Sequence, residues 1–248
     1  MMQTLTTPFF GIVAFFYAMV GHGGASGYLA VGSLVGQPAA ALKGQALLLN
    51  LGVAGTAAFF FTRARWMRWD LLAWLSVGSV PGAYVASQWG ISSALACGLL
   101  ALALASSALR LLLASRLQSY NEAAPQARPS ATVLVGVGLA LGLLSGMTGV
   151  GGGIYLSPLL LLLRWSDIKE TAAVSAAFIV VNSLAGLAGS AAKGPLPSVP
   201  TEWVLATLLG GMAGAFLGAG WVPKRRLAQV LAGALLLAAF KLGAKALG

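Results

Sequence analysis

Apolar stretches of roughly 20 residues, the length that crosses the hydrocarbon core of a bilayer as a helix, follow one another through this chain almost without a gap. Eight can be marked, at about 8–36, 39–62, 70–90, 92–115, 132–163, 168–191, 201–221 and 224–247. Lipid offers backbone amides no hydrogen-bond partner, so segments of this kind are expected to be helices and the fold an all-α integral membrane protein. They leave no room for a separate soluble domain, and a single transmembrane domain is expected over residues 1–248. Composition agrees, with 8% charged residues against about 25% in soluble proteins. The opening MMQTLTTPFF lacks the basic region of a secretory signal, so the first stretch is expected to remain in the mature protein. Cys97, the single cysteine, can form no intrachain disulfide and reads as a small packing residue.

Two of the eight segments, the first and the fifth, are too long for a simple crossing, and each carries glycines in its middle. These are GHGGASG from Gly21 to Gly27 and GMTGVGGG from Gly146 to Gly153. The longest polar stretch, SRLQSYNEAAPQARPS from Ser115 to Ser130, divides the chain near its midpoint and reads as a loop. Repeat one then covers about 8–115, a linker about 116–131, and repeat two about 132–247. The halves resemble each other. At an offset of 132, Asn50 pairs with Asn182, Gly78 with Gly210, Gly82 with Gly214, Ala83 with Ala215 and Trp89 with Trp221. The glycine loops pair at an offset of 128, with Gly21, Gly23 and Gly24 against Gly149, Gly151 and Gly152.

The formal charge of +10 could suggest nucleic acid, but the basic residues sit in short loops with no aromatic-basic module, so a topology role is expected and nucleic-acid binding is not. If all eight segments crossed fully, nine Lys and Arg would face six. If the first and fifth are re-entrant, Arg63, Arg65, Arg68, Arg110, Arg116, Arg128, Arg164, Lys169, Lys224, Arg225 and Arg226 share one face, eleven against four. The second arrangement follows the positive-inside rule better and gives each half an odd number of crossings. The fold expected is therefore two inverted four-segment repeats, each opening with a broken or re-entrant glycine-rich helix, with basic loops cytoplasmic and both termini outside.

A backbone break at membrane depth survives only against protein or a water-filled cavity. Glycine lets a ligand approach the main chain closely, and the helix beginning after the break points free N–H groups and a positive dipole end at the gap. That chemistry suits a small anion. Substrate contacts are expected from Gly21, His22, Gly23 and Gly24 in the first loop and from Gly149, Gly151, Gly152 and Gly153 in the second. His22, the only histidine, could carry a proton or pair with an anion, or be held neutral by loop backbone. Asn50 and Asn182 could bond a substrate oxygen or the broken backbone, or simply join two helices. Ser26, Gln45, Ser145, Thr148 and Ser175 are weaker candidates, since hydroxyls in such helices often bond their own backbone. The GxxxG spacings through Gly78, Gly138 and Gly210 read as close helix contacts. Trp66, Trp69, Trp89, Trp165, Trp203 and Trp221 suit an interfacial belt. No carboxylate is placed inside the membrane, so a relay through Asp or Glu is not expected.

GLLSGMTGVGGGIYLSPLLLL with TAAVSAAFIVVNSLAG downstream, and the weaker AMVGHGGASGYLAVGSLVG in the first half, resemble the TauE/SafE sulfite exporter family of membrane permeases over nearly the whole chain. The first half departs from the usual pattern by carrying His22 and Ser26. The resemblance implies a bacterial inner-membrane permease for sulfite, sulfonates or related sulfur anions, with proton-driven export as one mode. Beside this secondary transporter stand an anion channel, a transporter of another small anionic metabolite and an intramembrane enzyme. The last would need a set such as HExxH or GxSxG, and neither occurs. No cofactor or metal is expected. The lipid bilayer and a small anion are the partners, and oligomeric state is left open, with a homodimer among the options.

Overall fold

The computed structural model describes residues 2–34, 36, 39–88, 105, 108–109 and 129–247. The predicted segment at 92–115, Cys97, Trp89 and the polar stretch through Arg128 lie outside the described residues. Nine helices are named among those described: α1 (Met2–Met19), α2 (Ala25–Leu34), α3 (Ala39–Arg63), α4 (Trp69–Ser87), α5 (Ala131–Thr148), α6 (Gly153–Leu162), α7 (Ile168–Ala191), α8 (Thr201–Phe216), which runs on into a π-turn (Leu217–Trp221), and α9 (Lys224–Leu247). There is no strand among the described residues. Among the described residues four spans are long and apolar enough to cross a membrane: Ala41–Arg63, Ala131–Thr148, Ile168–Ala191 and Thr201–Trp221. The chain is all-α, and each over-long segment of the sequence is two helices separated by a break, at 20–24 and at 149–152.

Local chemistry accounts for the ends. Asp167 opens α7 with a capping box, its carboxylate accepting from the Lys169 and Glu170 amides while the Glu170 side chain reaches back to the Asp167 amide. Ser130 caps α5 through the Val133 amide. α1 closes with paired bonds from His22 N to Tyr17 O at 2.8 Å and from Gly21 N to Ala18 O at 3.0 Å, with Gly21 at φ 76. This is a Schellman ending that needs a left-handed residue, which glycine adopts without a Cβ penalty.

Packing follows residue size. α4 lies along α5 and α1 along α8, while α7 rests against both α3 and α4. A methyl on Gly78, Gly138, Gly142 or Gly146 would collide with a carbonyl oxygen across the α4–α5 seam, at Val135, Leu75, Ser79 and Ala83 respectively. Gly210, Gly214 and Gly218 meet the carbonyls of Gly11, Phe15 and Met19 in the same way across the seam between α1 and α8 with its π-turn. The GxxxG spacings are therefore backbone contacts, as the sequence leads one to expect. The opposite face of α8 presents Leu205, Leu209, Met212 and Phe216 as an exposed apolar stripe. α7 is the innermost span, with 72% of its window buried against 33% for Ala131–Thr148.

The tryptophans divide. Trp69 and Trp221 are exposed at helix ends, which fits an interfacial belt. Trp203 does not: it is fully buried and stacked on Phe10 at 4.2 Å, and Phe10 stacks in turn on Tyr28 at 5.3 Å. The Phe10 ring, itself backed by Tyr28, supplies the stacked partner that covers it. Trp165 is also buried.

Candidate functional site

The second break begins where α5 ends at Gly149, a left-handed residue (φ 73) whose amide bonds Ser145 O at 2.8 Å. Gly151 and Gly152 are left-handed as well, both at φ 80, so three of the four residues 149–152 take a conformation that side chains resist. α6 then starts with Gly152 as an N-cap that offers no side-chain bond. Its first helical bonds run from Tyr155 and Leu156 back to Gly152 O. The Gly153 and Ile154 amides ahead of them have no carbonyl one turn back to bind. α2 starts similarly, its first bond running from Tyr28 N to Gly24 O at 2.9 Å.

The two breaks meet around Asn50, which is fully buried in α3. Asn50 Nδ2 donates to Val150 O at 3.3 Å, and a methyl on Gly151 would press on that same nitrogen. On the other side, a methyl on Gly23 would fall on Asn50 Oδ1. One carboxamide thus separates the first loop from the second.

His22 crosses in the opposite sense. Its Nε2 lies 3.2 Å from Gly153 O and 3.0 Å from Ser157 Oγ, and Ser157 Oγ continues to Ser175 Oγ at 2.8 Å. With Nε2 carrying the proton, it donates to the Gly153 carbonyl and leaves Nδ1 as an acceptor. Ser26 bonds Tyr17 OH at 2.9 Å, and Gly24 packs beneath the Tyr28 ring. Gly152 packs on Phe178 and Ser145, and Gly153 on Ile179.

Several buried polar atoms here have no hydrogen-bond partner among the described residues: His22 Nδ1, Asn50 Oδ1, Ser145 Oγ and Ser183 Oγ. Native interiors satisfy nearly all such atoms, so a cluster of exceptions marks a place that can take a polar guest. Gly151 would touch Ser183 Oγ through any added Cβ, which puts Ser183 in the same group.

The structure brings together Gly21, His22, Gly23, Gly24, Ser26, Asn50, Ser145, Gly151, Gly152, Gly153 and Ser175 around the two breaks. It places others differently. Asn182 Nδ2 bonds Ser79 Oγ at 3.0 Å and its own helix at Phe178 O, leaving Oδ1 without a partner among the described residues. Thr148 bonds Leu144 O one turn back at 2.8 Å. Gln45 donates to Ser198 O in the α7–α8 connection. Gly149 packs on the Lys43 stem. Ser157 and Ser183 escape sequence reasoning, although each is a hydroxyl in an otherwise apolar run, one residue ahead of Pro158 and one behind Asn182. A shallow apolar cleft of about 380 Å³, lined by Ala58, Phe59, Thr62, Arg63, Met67, Trp69 and Ala177, includes no residue of either break.

Apolar helices of membrane length around a polar centre built from broken backbone define a multi-pass membrane protein. The profile of the family described as Sulfite exporter TauE/SafE matches residues 7–242, and the chain belongs to that family. Its members are membrane transporters and not enzymes. Among curated relatives, a probable membrane transporter protein, y4hK, of Sinorhizobium fredii (strain NBRC 101917 / NGR234) is 30% identical over 235 residues, covering 94% of this chain and 95% of the relative. No solved structure matches the chain.

Proposed function

We propose that this protein is a secondary transporter that moves a small sulfur-containing oxyanion, such as sulfite or a sulfonate, across the bacterial inner membrane. The observation that carries this reading is the position of Asn50 between Gly23 of one break and Val150 of the other. The free amides at the start of α6 and the hydroxyls of Ser145 and Ser183, unpartnered among the described residues, lie at this junction, and they are the donors an anion of a few heavy atoms would use. Substrate contacts fall to Gly21, His22, Gly23, Gly24, Ser26, Asn50, Ser145, Gly151, Gly152, Gly153 and Ser175, with Ser157 and Ser183 added.

The fold reading that goes with it is two inverted repeats, α1–α4 with the segment that follows and α5–α9, each opening with a re-entrant broken helix. The packing supports it through an exchange of partners: α4 lies on α5 as α8 lies on α1, α2 on α3 as α6 on α7, and α4 on α7 as α8 on α3. Basic loops then face the cytoplasm and both termini the outside. His22 Nδ1, buried beside the Gly153 carbonyl network, is the group for a coupled proton.

The test is flux in proteoliposomes loaded in turn with sulfite, sulfate, thiosulfate and a small sulfonate, with and without a pH gradient. Saturable movement of at least one sulfur anion, accelerated by the gradient, is expected. Movement of none of the four overturns the substrate class, and flux that never saturates favours a channel.

A further inference from the structure

At the end of the bundle that gathers the basic loops, three cations and three carboxylates meet. Arg68 pairs with Asp70 at 2.7 Å and with Glu170 at 3.7 Å, and Lys224 pairs with Asp167 at 2.9 Å. Lys169 makes no ion pair among the described residues, yet it is buried, with 8% exposure. Its ammonium has two long contacts to neutral carbonyls, Ala219 O at 3.3 Å and Gly220 O at 3.4 Å, and lies 5.2 Å from the centre of the Trp66 ring. Those distances exceed the usual range for an N–H···O bond. Its direct partners are neutral carbonyls, while the Asp167 carboxylate acts on it only through space and the Lys224 ammonium opposes that effect, so an ammonium in this place is under-compensated and a mobile anion would be its strongest direct partner.

The surroundings place this ammonium beside the first break. The carbonyls it touches belong to the π-turn, a rare geometry that concentrates at functional sites. Gly218 of that turn packs on Met19 O, the last carbonyl of α1. Gly21, two residues further, packs on Ala172 of α7, three positions on from Lys169 and so on the same helix face. The Trp66 indole holds the Ala219 carbonyl as well, at 3.1 Å, and Arg68 ties the α3–α4 loop to Glu170. Trp66, Lys169 and the π-turn therefore close the bundle directly against the first glycine loop.

We propose that Lys169 is a second anion station, the gate on the basic-loop face: an oxyanion arriving from that face draws the ammonium off the Ala219 and Gly220 carbonyls and pairs with it before reaching the glycine loops. This rests on the transport reading and adds a named charge to the route.

The experiment measures initial sulfite flux, in membrane vesicles of defined orientation, with sulfite presented to one face and then to the other, for the wild type, Lys169→Gln, Lys169→Arg and Trp66→Phe. Lys169→Gln is expected to raise KM by about tenfold on the basic-loop face, the scale of one hydrogen bond to a charged group, with KM on the other face unchanged. Lys169→Arg keeps the charge and restores most of that affinity. Trp66→Phe frees the Ala219 carbonyl to hold the ammonium, and it also raises KM on the basic-loop face alone, which gives a reading even where Lys169→Gln fails to assemble. Wild-type flux with KM unaltered by these changes, or altered equally on both faces, overturns the gate while leaving the transporter standing. Absence of wild-type flux for every sulfur anion removes the transport reading first.

Discussion

The Asn50 carboxamide donates to the Val150 carbonyl at 3.3 Å, joining the middle of α3 to a backbone break far along the chain, while its oxygen faces Gly23 of the other break. No other side chain described here has a broken helix on each side of it in this way. Asn50→Leu is expected to reduce sulfite flux by about tenfold or more, the cost of leaving a buried carbonyl unpaired and removing a polar contact. Asn50→Asp keeps the shape but cannot donate, and it sets a negative charge where an anion must sit, so it should be as severe. Asn182→Ala removes a helix-joining bond of the kind worth about 0.6 kcal/mol in membranes, and flux should fall by no more than about threefold. Flux assays on the three variants, normalised to reconstituted protein, decide this; equal loss at both asparagines would deny Asn50 its special position.

His22 links Gly153 O to Ser157 and, through it, to Ser175. His22→Ala should flatten the dependence of flux on pH, because it removes the imidazole from the centre, and should lower flux at every pH because Gly153 O and Ser157 lose a partner. His22→Gln can keep one bond to Gly153 O but binds no proton, so it should retain more protein in a folded state while still losing the pH dependence. A pH profile unchanged in both variants removes histidine from the coupling step.

The glycine seams make a graded test of packing. Gly142→Leu and Gly214→Leu drive a side chain into the carbonyls of Ser79 and Phe15, and overpacking of this kind costs about 1–3 kcal/mol or more. Gly136 has nothing within 4 Å of an added Cβ, so Gly136→Leu should leave the yield of monodisperse detergent-purified protein unchanged. Comparable yields for all three would mean the seams are looser than described.

Orientation is checked with cysteines in a Cys97→Ala background. Arg65 and Lys193 both lie in exposed connections, and the proposed arrangement puts Arg65→Cys inside and Lys193→Cys outside. Labelling of intact cells with an impermeant maleimide should reach Lys193→Cys alone. Reaction at Arg65→Cys reverses the proposed topology.

Much of the fold was legible because its cause is local. Lipid-length apolar runs gave seven of the eight segments among the described parts, the first starting six residues earlier than expected, whereas Asp167 and Glu170 read as loop residues although they form the capping box that opens α7. The breaks were legible because positive φ is close to a glycine signature, and Gly21, Gly24, Gly149, Gly151 and Gly152 all show it. The family motif put Asn182 ahead of Asn50 as a site residue, whereas Asn50 is the one that lies between the breaks. Asn50 and Asn182 stand at matching positions, but Ser79 captures the Asn182 amide, and nothing in the spacing of the chain announces a serine one helix away. Trp203 was misplaced for a related reason: a residue two positions into a helix can face lipid or the core, and the partner ring of Phe10 belongs to a distant segment. The role of Lys169 was hidden too, because a lysine near a helix start is indistinguishable in sequence from a topology charge until the π-turn carbonyls and Trp66 close over it.

The seams of α4 with α5 and of α1 with α8 also restrict how this protein can move. Each carries a small residue every fourth position with a neighbouring carbonyl seated over it, like teeth in a rack. A glide of one residue would set Ser79 or Ala215 where Gly78 or Gly214 had been, against an oxygen with no space to yield. These couples must travel as stiff struts, and exposure of the centre to one side and then the other has to arise from tilting whole struts about α3 and α7 rather than from shear within them.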